Sequence, residues 1–478
     1  MKNIIYIIVF AFFISLSSCS IDNVEPKNVL LESNAITNET TALGILNRIY
    51  NSGLRNSIYG RDIGGGAGVA IVENISLSSL EIELLTPSTS FTAFNTNNVL
   101  NNEDLLQQVY VDLYFNINLS NYFIELVERG DANVNDSRKN ELLAEAKFFR
   151  GLSHFSLLRI FGQFYDVNSP LGVVVSTQPI RSNTSFPRNS VQETYDAIIA
   201  DLQFSADNAP TGRAHYYVSA TTAQALLAKV QLNMGDYTNA ALNAQAVISN
   251  TDGYLLEPTY SGVFNDRWGA ETLLAAYVDI DIEGAQAHNF GRNTFGPSTL
   301  FRTLADEQDG LNSDGSTDNA TGYDPRYSLG FYLDPANPTI LIGKYPFDGT
   351  FAGGEGNAIK TLRMAEIYLI YAEAEARRDG GSLANALARV NEIRNRAGAS
   401  VTPRVLSDKA TLLEDIRIEK MLELYCETGE NWYDLVRYDR LGDIDASALK
   451  PSISSVNKLI FPIPNAAIIG NTELVPNP

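Results

Sequence analysis

The chain has 478 residues, too long for one compact core of ordinary size, and its 45% hydrophobic and 19% charged content excludes a disordered chain. It carries 35 Lys and Arg against 56 Asp and Glu, and this net charge of −21 argues against binding to nucleic acid or to an anionic lipid surface. Two cysteines exclude a disulfide scaffold.

The N-terminus has the pattern of a bacterial lipoprotein signal. Lys2 is followed by an unbroken apolar run over residues 4–14, which is shorter than the roughly 20 residues of a membrane span. The next residues, Leu-Ser-Ser-Cys19, resemble a lipobox, in which the cysteine receives the lipid. We therefore predict a signal peptide over 1–18, lipid attachment at Cys19 and a flexible tether over 19–38. An ordinary signal peptide with a chance cysteine is the alternative, and Cys426 is predicted to be a buried helical core residue.

Amphipathic patterns in the body predict a mainly α fold. Apolar residues recur at steps of three and four over residues 142–158, which places them on one helix face. Ser190 and Glu193 have the spacing of a capping box at the start of the next helix. A further helix is predicted from Thr411 to Cys426, again with capping-box spacing, here at Thr411 and Glu414.

Two helix pairs resemble each other and indicate a repeat. Residues 220–249 and 361–397 each read as two helices around a glycine turn, with small residues at matching points. This is the tetratricopeptide pattern of antiparallel helical hairpins. We predict helical hairpins in regions 39–250 and 361–478, separated by a loop-rich region over 251–360 with a few short strands, such as residues 272–278. Residues 51–101 have a similar irregular character.

Several segments in this order are similar to motifs of the SusD/RagB family, the nutrient-uptake surface lipoproteins of Bacteroidetes. They are AEAKFFRGLSHFSLLRIFG, PRNSVQETYDAIIADLQFSADNAP, TLRMAEIYLIYAEAEAR, IRIEKMLELYCETGENWYDLVRYDRLGD and the closing LIFPIPNAAIIGNTELVPNP. The matches extend over about residues 140–478. Gly429 comes one residue later than usual and Asn431 stands where arginine is common, which we interpret as a local change in a structural element.

The resemblance implies a scaffold of tetratricopeptide-like hairpins that binds an oligosaccharide at the outer membrane and is not an enzyme. It implies a partner, a SusC-like TonB-dependent β-barrel transporter, over which the lipoprotein sits as a lid. It also favours structural roles for Asp324-Pro325-Arg326, for Lys344-Tyr345 and for Trp432.

Catalytic and cofactor patterns are weak in this sequence. The three histidines, His154, His215 and His288, are far apart and lack metal-ligand spacing, and His154 is predicted to pack in or near the core. We predict no cofactor. A loop-type calcium site remains an alternative to a solvated loop, and its candidate ligands are Asp306, Asp309, Asp314 and Asp318.

Sugar recognition requires aromatic faces with amide, carboxylate or guanidinium groups beside them. Aromatic and polar residues of this kind occur in both irregular regions. The predicted ligand-binding candidates are Trp268, Phe290, Arg292, Phe295, Tyr323, Tyr59, Arg61, Phe91 and Asn95.

Three other functions stay open at this point. The same scaffold fits a peptide-binding protein, because a fold does not fix its cargo. A glycoside hydrolase requires two facing carboxyl groups, and a chain this acidic always offers pairs. A pure assembly scaffold would use the concave face of the helices for protein contact.

Overall fold

The computed structural model describes residues 35–54, 71–86, 89–277, 294–306, 324–333, 340–344, 358–398 and 401–478. Helices dominate these residues, as predicted. The first eight are α1 (Glu39–Leu54), α2 (Ile71–Ser78), α3 (Thr89–Asn95), α4 (Asp104–Arg129), α5 (Asp136–Phe161), α6 (Val191–Asn208), α7 (Ala220–Met234) and α8 (Tyr237–Ile248).

The helices of the second half are shorter before residue 360 and longer after it. They are α9 (Tyr260–Asn265), α10 (Thr299–Ala305), α11 (Pro325–Gly330), α12 (Met364–Arg377), α13 (Leu383–Ala397), α14 (Lys409–Leu424), α15 (Glu430–Leu441), α16 (Ala446–Leu449) and α17 (Asn465–Gly470), with a 3₁₀ turn at Val456–Leu459. Within the described ranges, no helix is both long and apolar enough to cross a membrane.

The long helices pack in succession, each against its neighbour in the chain from α4 to α8, and α8 packs against α12. Helices α7 and α8 form one hairpin and α12 and α13 form the second, as predicted. Gly235 and Gly380 in the connecting turns have φ of 90° and 68°, a left-handed conformation that glycine adopts without strain. The tetratricopeptide description of these hairpins stays a prediction.

Helix boundaries confirm one predicted cap and correct another. Ser190 and Glu193 form the capping box of α6, with each side chain bonded to the other residue's backbone N–H. The predicted box at Thr411 and Glu414 is wrong. Helix α14 begins at Lys409, and Asp408 caps it by accepting the backbone N–H of Thr411 at 3.0 Å. Asp408, three residues before Thr411, therefore takes the N-cap position, and the helix begins before Thr411.

Six short strands form three separate antiparallel pairs. Strand β1 (Ile82–Leu84) pairs with β3 (Phe295–Pro297), and β4 (Phe331–Leu333) pairs with β5 (Ile340–Ile342). Strand β2 (Thr272–Ala275), inside the predicted run at 272–278, pairs with β6 (Lys360–Arg363). The expectation that residues 51–101 are irregular is wrong for their described part, where α2, α3 and β1 form a small packed unit.

Predicted core residues are buried. Trp432 is fully enclosed, and Cys426 is buried, but it lies beyond the end of α14 with φ of 55° and not within the helix as predicted. His154 is buried, and its Nε2 accepts the backbone N–H of Ser176 at 3.2 Å, which fixes a neutral ring. Burial lowers the pKa of His154 to about 3. These residues therefore support the fold.

Asp324, Arg326 and Lys344 also have the predicted structural roles. All three side chains are buried, and Arg326 binds Asp324 and Glu419 at 2.7 and 2.6 Å. Lys344 donates to Glu427 at 2.6 Å. Tyr345 lies outside the described residues.

The buried carboxyl group of Glu81 is expected to make stability fall as the pH rises toward 7. Its side chain contacts the amide of Asn431, and burial raises the pKa of Glu81 from 4.5 to about 7. Between about pH 4.5 and 7 the folded chain therefore keeps a proton on Glu81 that the unfolded chain loses. The stabilisation that this proton gives at low pH is lost as the pH rises through this range. Raising the pH from 5 to 7 should therefore lower the free energy of unfolding by about 2 kcal/mol through this group.

Glu81→Gln tests this expectation. Urea unfolding at pH 5, 6 and 7 should show a smaller loss of stability with pH in the variant than in the unaltered protein, because glutamine does not titrate. Identical pH dependence in the two proteins would contradict the assignment.

Candidate functional site

A cleft of about 470 Å³ opens where the C-terminal half of α1 meets the segment between α6 and α7 and the end of β2. Its volume lies within the range of small-molecule sites. The described residues that line it are uncharged. They are Asn47, Tyr50, Asn51, Leu54, Tyr216, Tyr217, Ala276 and Tyr277.

Four aromatic side chains form one cluster at this cleft, and we call Tyr216, Tyr217, Trp268 and Tyr277 the aromatic cluster. Tyr216 is central, with ring centroids 4.8 Å from Tyr217 and 5.1 Å from both Trp268 and Tyr277. The rings of Trp268 and Tyr277 are parallel within 3° at 5.6 Å. Aromatic pairs at these separations stabilise each other, so the cluster is a pre-formed apolar surface.

Tyr277 is the most exposed ring of the aromatic cluster, with 51% of its surface accessible. Trp268 lies beside it, half-buried, with its indole N–H donating to the carbonyl of Ala276 at 3.2 Å. The guanidinium of Arg267 lies 4.8 Å from the Trp268 ring. Trp268 therefore packs against Tyr277, whose ring is the most accessible of the four for stacking.

Polar groups also line the cleft. Asn47 and Asn51 are four residues apart on α1 and so share one helix face. Asn47 is exposed and Asn51 is half-buried. Each amide offers both donors and an acceptor. A cleft lined by both aromatic rings and amides has the chemical groups that a sugar ring requires.

The sequence candidates fall into three groups. Trp268 belongs to the aromatic cluster. Phe91 and Phe295 pack edge to face with their ring centroids 4.9 Å apart, and the side chain of Asn95 accepts the backbone N–H of Leu84. These three candidates therefore lie together at the β1–β3 pair. They do not line the cleft. The remaining candidates lie outside the described residues: Cys19, Tyr59, Arg61, Phe290, Arg292 and Tyr323. The ligand-binding roles of all of these stay predictions.

Sequence reasoning missed the residues that line the cleft. Tyr216 and Tyr217 form a tyrosine pair in a short connection between helices, and Tyr277 ends the predicted strand run. The Tyr-Tyr pair was a usable signal, because two large aromatic residues in an exposed connection need a packing partner. Nothing in the sequence marked Asn47 and Asn51 as binding residues except their spacing of four residues on a helix.

A second groove, of about 510 Å³, lies between α4, residues 174–186 and α17. Its apolar side chains include Val111, Phe115 and Phe186. Two of its three amides are engaged inside the protein: Asn118 bonds both backbone groups of Ile180, at 2.8 and 3.2 Å, and Asn471 bonds both backbone groups of Phe186, at 3.0 and 2.8 Å. This groove therefore has fewer polar groups to offer a sugar than the cleft does.

Metal-ligating groups do not converge in the part of the chain that the structure describes, where no three His, Cys, Asp or Glu side chains form a site. Of the calcium candidates only Asp306 is described, and it follows α10. Asp309, Asp314 and Asp318 lie outside the described residues, so the calcium site stays untested.

Comparison with known proteins places the chain in a family. The SusD family model matches residues 307–478, and a SusD-like model described as starch-binding and associating with the outer membrane matches residues 73–232. The chain is 28% identical to SusD-like protein P2 of Formosa agariphila, over 73% of this chain and 75% of that protein. It is 25% identical to a SusD-like protein of Bacteroides ovatus, over 73% of this chain and 69% of that protein.

Solved structures show the same fold. A SusD superfamily protein of Bacteroides thetaiotaomicron has a TM-score of 0.75 at 23% identity, covering 92% of this chain and all of that one. A laminarin-binding SusD-like protein has a TM-score of 0.69 at 21% identity, covering 92% of this chain and 99% of that one. The chain belongs to the SusD/RagB family, as its motifs indicated.

Proposed function

We propose that this protein is a cell-surface lipoprotein that captures oligosaccharides and delivers them to a SusC-like TonB-dependent transporter. The observation that carries the proposal is the cleft that is lined by the exposed ring of Tyr277 together with Asn47 and Asn51. Rings stack on the C–H faces of sugars, and amides bond their hydroxyls. The family's starch-binding description and the laminarin-binding neighbour support a sugar as the cargo.

Two observations favour a binder over a glycoside hydrolase. No carboxyl group is among the described residues that line the cleft, whereas hydrolysis requires two carboxyls facing the sugar. The buried carboxylate behind the cleft, Glu145, is paired with Arg213 at 2.7 Å. A peptide-binding function remains the second candidate, supported by the mostly apolar groove beside α4.

Calorimetric titration tests the proposal. The mature protein is titrated with oligosaccharides from laminarin, starch, xylan and an acidic algal polysaccharide, and with unrelated peptides as a control. We expect weak, saturable heat with at least one sugar, little dependence on salt, and no increase in reducing ends after incubation. Heat only with peptides, or new reducing ends, would contradict the proposal.

Replacing Cys19 by serine is expected to release the protein from the membrane. A serine lacks the thiol that receives the lipid, so the predicted lipobox no longer supplies an anchor. Cell fractionation and labelling with radioactive palmitate measure the effect. The matched control is Cys426→Ser, because Cys426 is buried and should retain full labelling. A labelled, membrane-bound Cys19→Ser protein would overturn the assignment of Cys19.

The transporter partner has its own test. We expect an outer-membrane β-barrel to copurify with the lipoprotein after gentle detergent extraction, and its identity is readable by mass spectrometry. Recovery of the lipoprotein alone under conditions that preserve other outer-membrane complexes would count against delivery to a transporter.

A further inference from the structure

One buried carboxylate joins two of the elements that form the cleft. Glu145, on α5, accepts a hydrogen bond from the hydroxyl of Tyr50, on α1. Its other carboxyl oxygen lies 2.7 Å from the guanidinium of Arg213, in the connection between α6 and α7. Glu145 is 1% exposed, so this carboxylate takes its partners from the protein and not from water.

The segment 213–218 is held by these two contacts and by its own backbone. The hydroxyl of Tyr50, besides donating to Glu145, accepts the backbone N–H of Val218 at 2.8 Å. The carbonyl of His215 accepts the backbone N–H of Ala275, on β2, at 3.1 Å. The segment is thus fixed at its beginning, middle and end.

Besides Tyr277, three tyrosines line the cleft. Segment 213–218 carries two of them, Tyr216 and Tyr217. The guanidinium of Arg213 lies 4.1 Å from the ring centroid of Tyr217, and the Tyr50 ring packs edge-on against Tyr217 at 5.8 Å. The same groups that bind Glu145 therefore also contact the Tyr217 ring.

Charge and burial favour these contacts. Burial raises the pKa of Tyr50 well above 10, so its hydroxyl stays protonated and donates. Burial also raises the pKa of Glu145, and the nearby Arg213 opposes that shift. An enclosed carboxylate is costly without its partners, which favours the arrangement in which Tyr50 and Arg213 are both in place.

We infer that Glu145 is a positioning residue for ligand binding: through Tyr50 and Arg213 it fixes segment 213–218, so that Tyr216 and Tyr217 are ordered before a ligand arrives. This inference rests on the proposed function for its consequence, because an ordered surface binds more tightly than one that must be ordered on binding. Glu145 itself does not touch the ligand, because it lies behind Tyr50 and does not line the cleft.

Glu145→Gln tests the inference. The amide has the shape of the carboxylate but no charge and a single oxygen, so it cannot place one oxygen against Tyr50 and a second, negatively charged oxygen against Arg213. Arg213→Gln breaks the same ion pair from a side chain that is 22% exposed, so we expect this variant to fold even if the first does not. The matched control is Asp201→Asn. It removes a buried carboxylate on α6 that is paired at 2.6 Å with Arg150, which lies on α5 like Glu145, and neither residue lines the cleft.

Two measurements separate positioning from general stability. In hydrogen exchange we expect the amides of 213–218 to exchange roughly tenfold faster in Glu145→Gln and Arg213→Gln, and unchanged in Asp201→Asn. In titrations with the laminarin, starch, xylan and acidic algal oligosaccharides we expect about tenfold weaker affinity in the first two variants only.

Each outcome is decisive. Unchanged exchange in 213–218, or equal changes in Asp201→Asn, overturns the inference. Faster exchange with undiminished sugar affinity also overturns it, while leaving the proposed function intact. Absence of binding by the unaltered protein to every sugar instead overturns the proposed function, and with it the role of Glu145 in binding.

Discussion

Replacing Arg363 by methionine is expected to lower the free energy of unfolding by about 3–5 kcal/mol, the cost of breaking a buried ion pair. Arg363 is fully buried at the end of β6. Its guanidinium binds Glu271 at 2.8 Å, Glu423 at 2.6 Å and Glu427 at 2.7 Å. Methionine fills part of the volume but leaves these carboxylates without their shared cation.

Arg363 belongs to a connected ionic network that joins the loop-rich region to the C-terminal helices. The members are buried and their charges balance. They are the acids Glu271, Asp324, Glu419, Glu423 and Glu427 and the bases Arg326, Lys344, Arg363, Arg394 and Arg396. The arginines keep the pKa of Glu423 far below its usual value, so its charge persists in the folded chain.

A surface ion pair provides the matched control for Arg363. Arg129 binds Asp131 at 2.5 Å, but its side chain is 49% exposed. Arg129→Met should change the free energy of unfolding by less than about 1 kcal/mol, because water screens the pair. Urea unfolding measures both variants. Equal effects of the two substitutions would show that the network does not stabilise the fold as described.

Replacing Tyr277 by alanine is expected to weaken oligosaccharide binding by about fivefold, since stacking on an exposed ring contributes on the order of 1 kcal/mol. Tyr277 is the most exposed ring of the aromatic cluster, and its removal leaves Tyr216 without one of its edge-on neighbours. Stability should change little, because the side chain is half in solvent.

Titration and fluorescence measure this effect. Trp432 is buried in the core, so a change in tryptophan emission on adding sugar reports on Trp268 beside the cleft. The control is Tyr332→Ala, at a tyrosine that is 43% exposed on β4 and does not line the cleft. Undiminished affinity in Tyr277→Ala, or an equal loss in Tyr332→Ala, would contradict the assignment of the cleft.

Much of the fold was predictable because helical periodicity and turn residues are local signals. The capping box at Ser190 and the glycine turns at Gly235 and Gly380 were placed correctly from neighbouring residues alone. The start of α14 was wrong because Asp408 and Thr411 are both suitable N-cap residues, each for an N–H about three residues after itself, and spacing does not rank one against the other.

The site was less predictable because its residues come from distant parts of the chain. Trp268 was identified by its residue type in an irregular region, and it does belong to the aromatic cluster. Tyr216 and Tyr277 meet only because the connection after α6 bonds to β2, which is a tertiary contact without a sequence pattern. Glu145 was read as part of a family motif, and its link to Tyr50 depends on the packing of α1 against α5.

The most direct test of the cleft is a crystal structure of the mature protein soaked with the oligosaccharide that binds in titration. We predict sugar density with one ring stacked on Tyr277 and hydroxyls within hydrogen-bond distance of Asn47 or Asn51. Density for the sugar elsewhere on the molecule, with this cleft filled by water alone, would contradict the account.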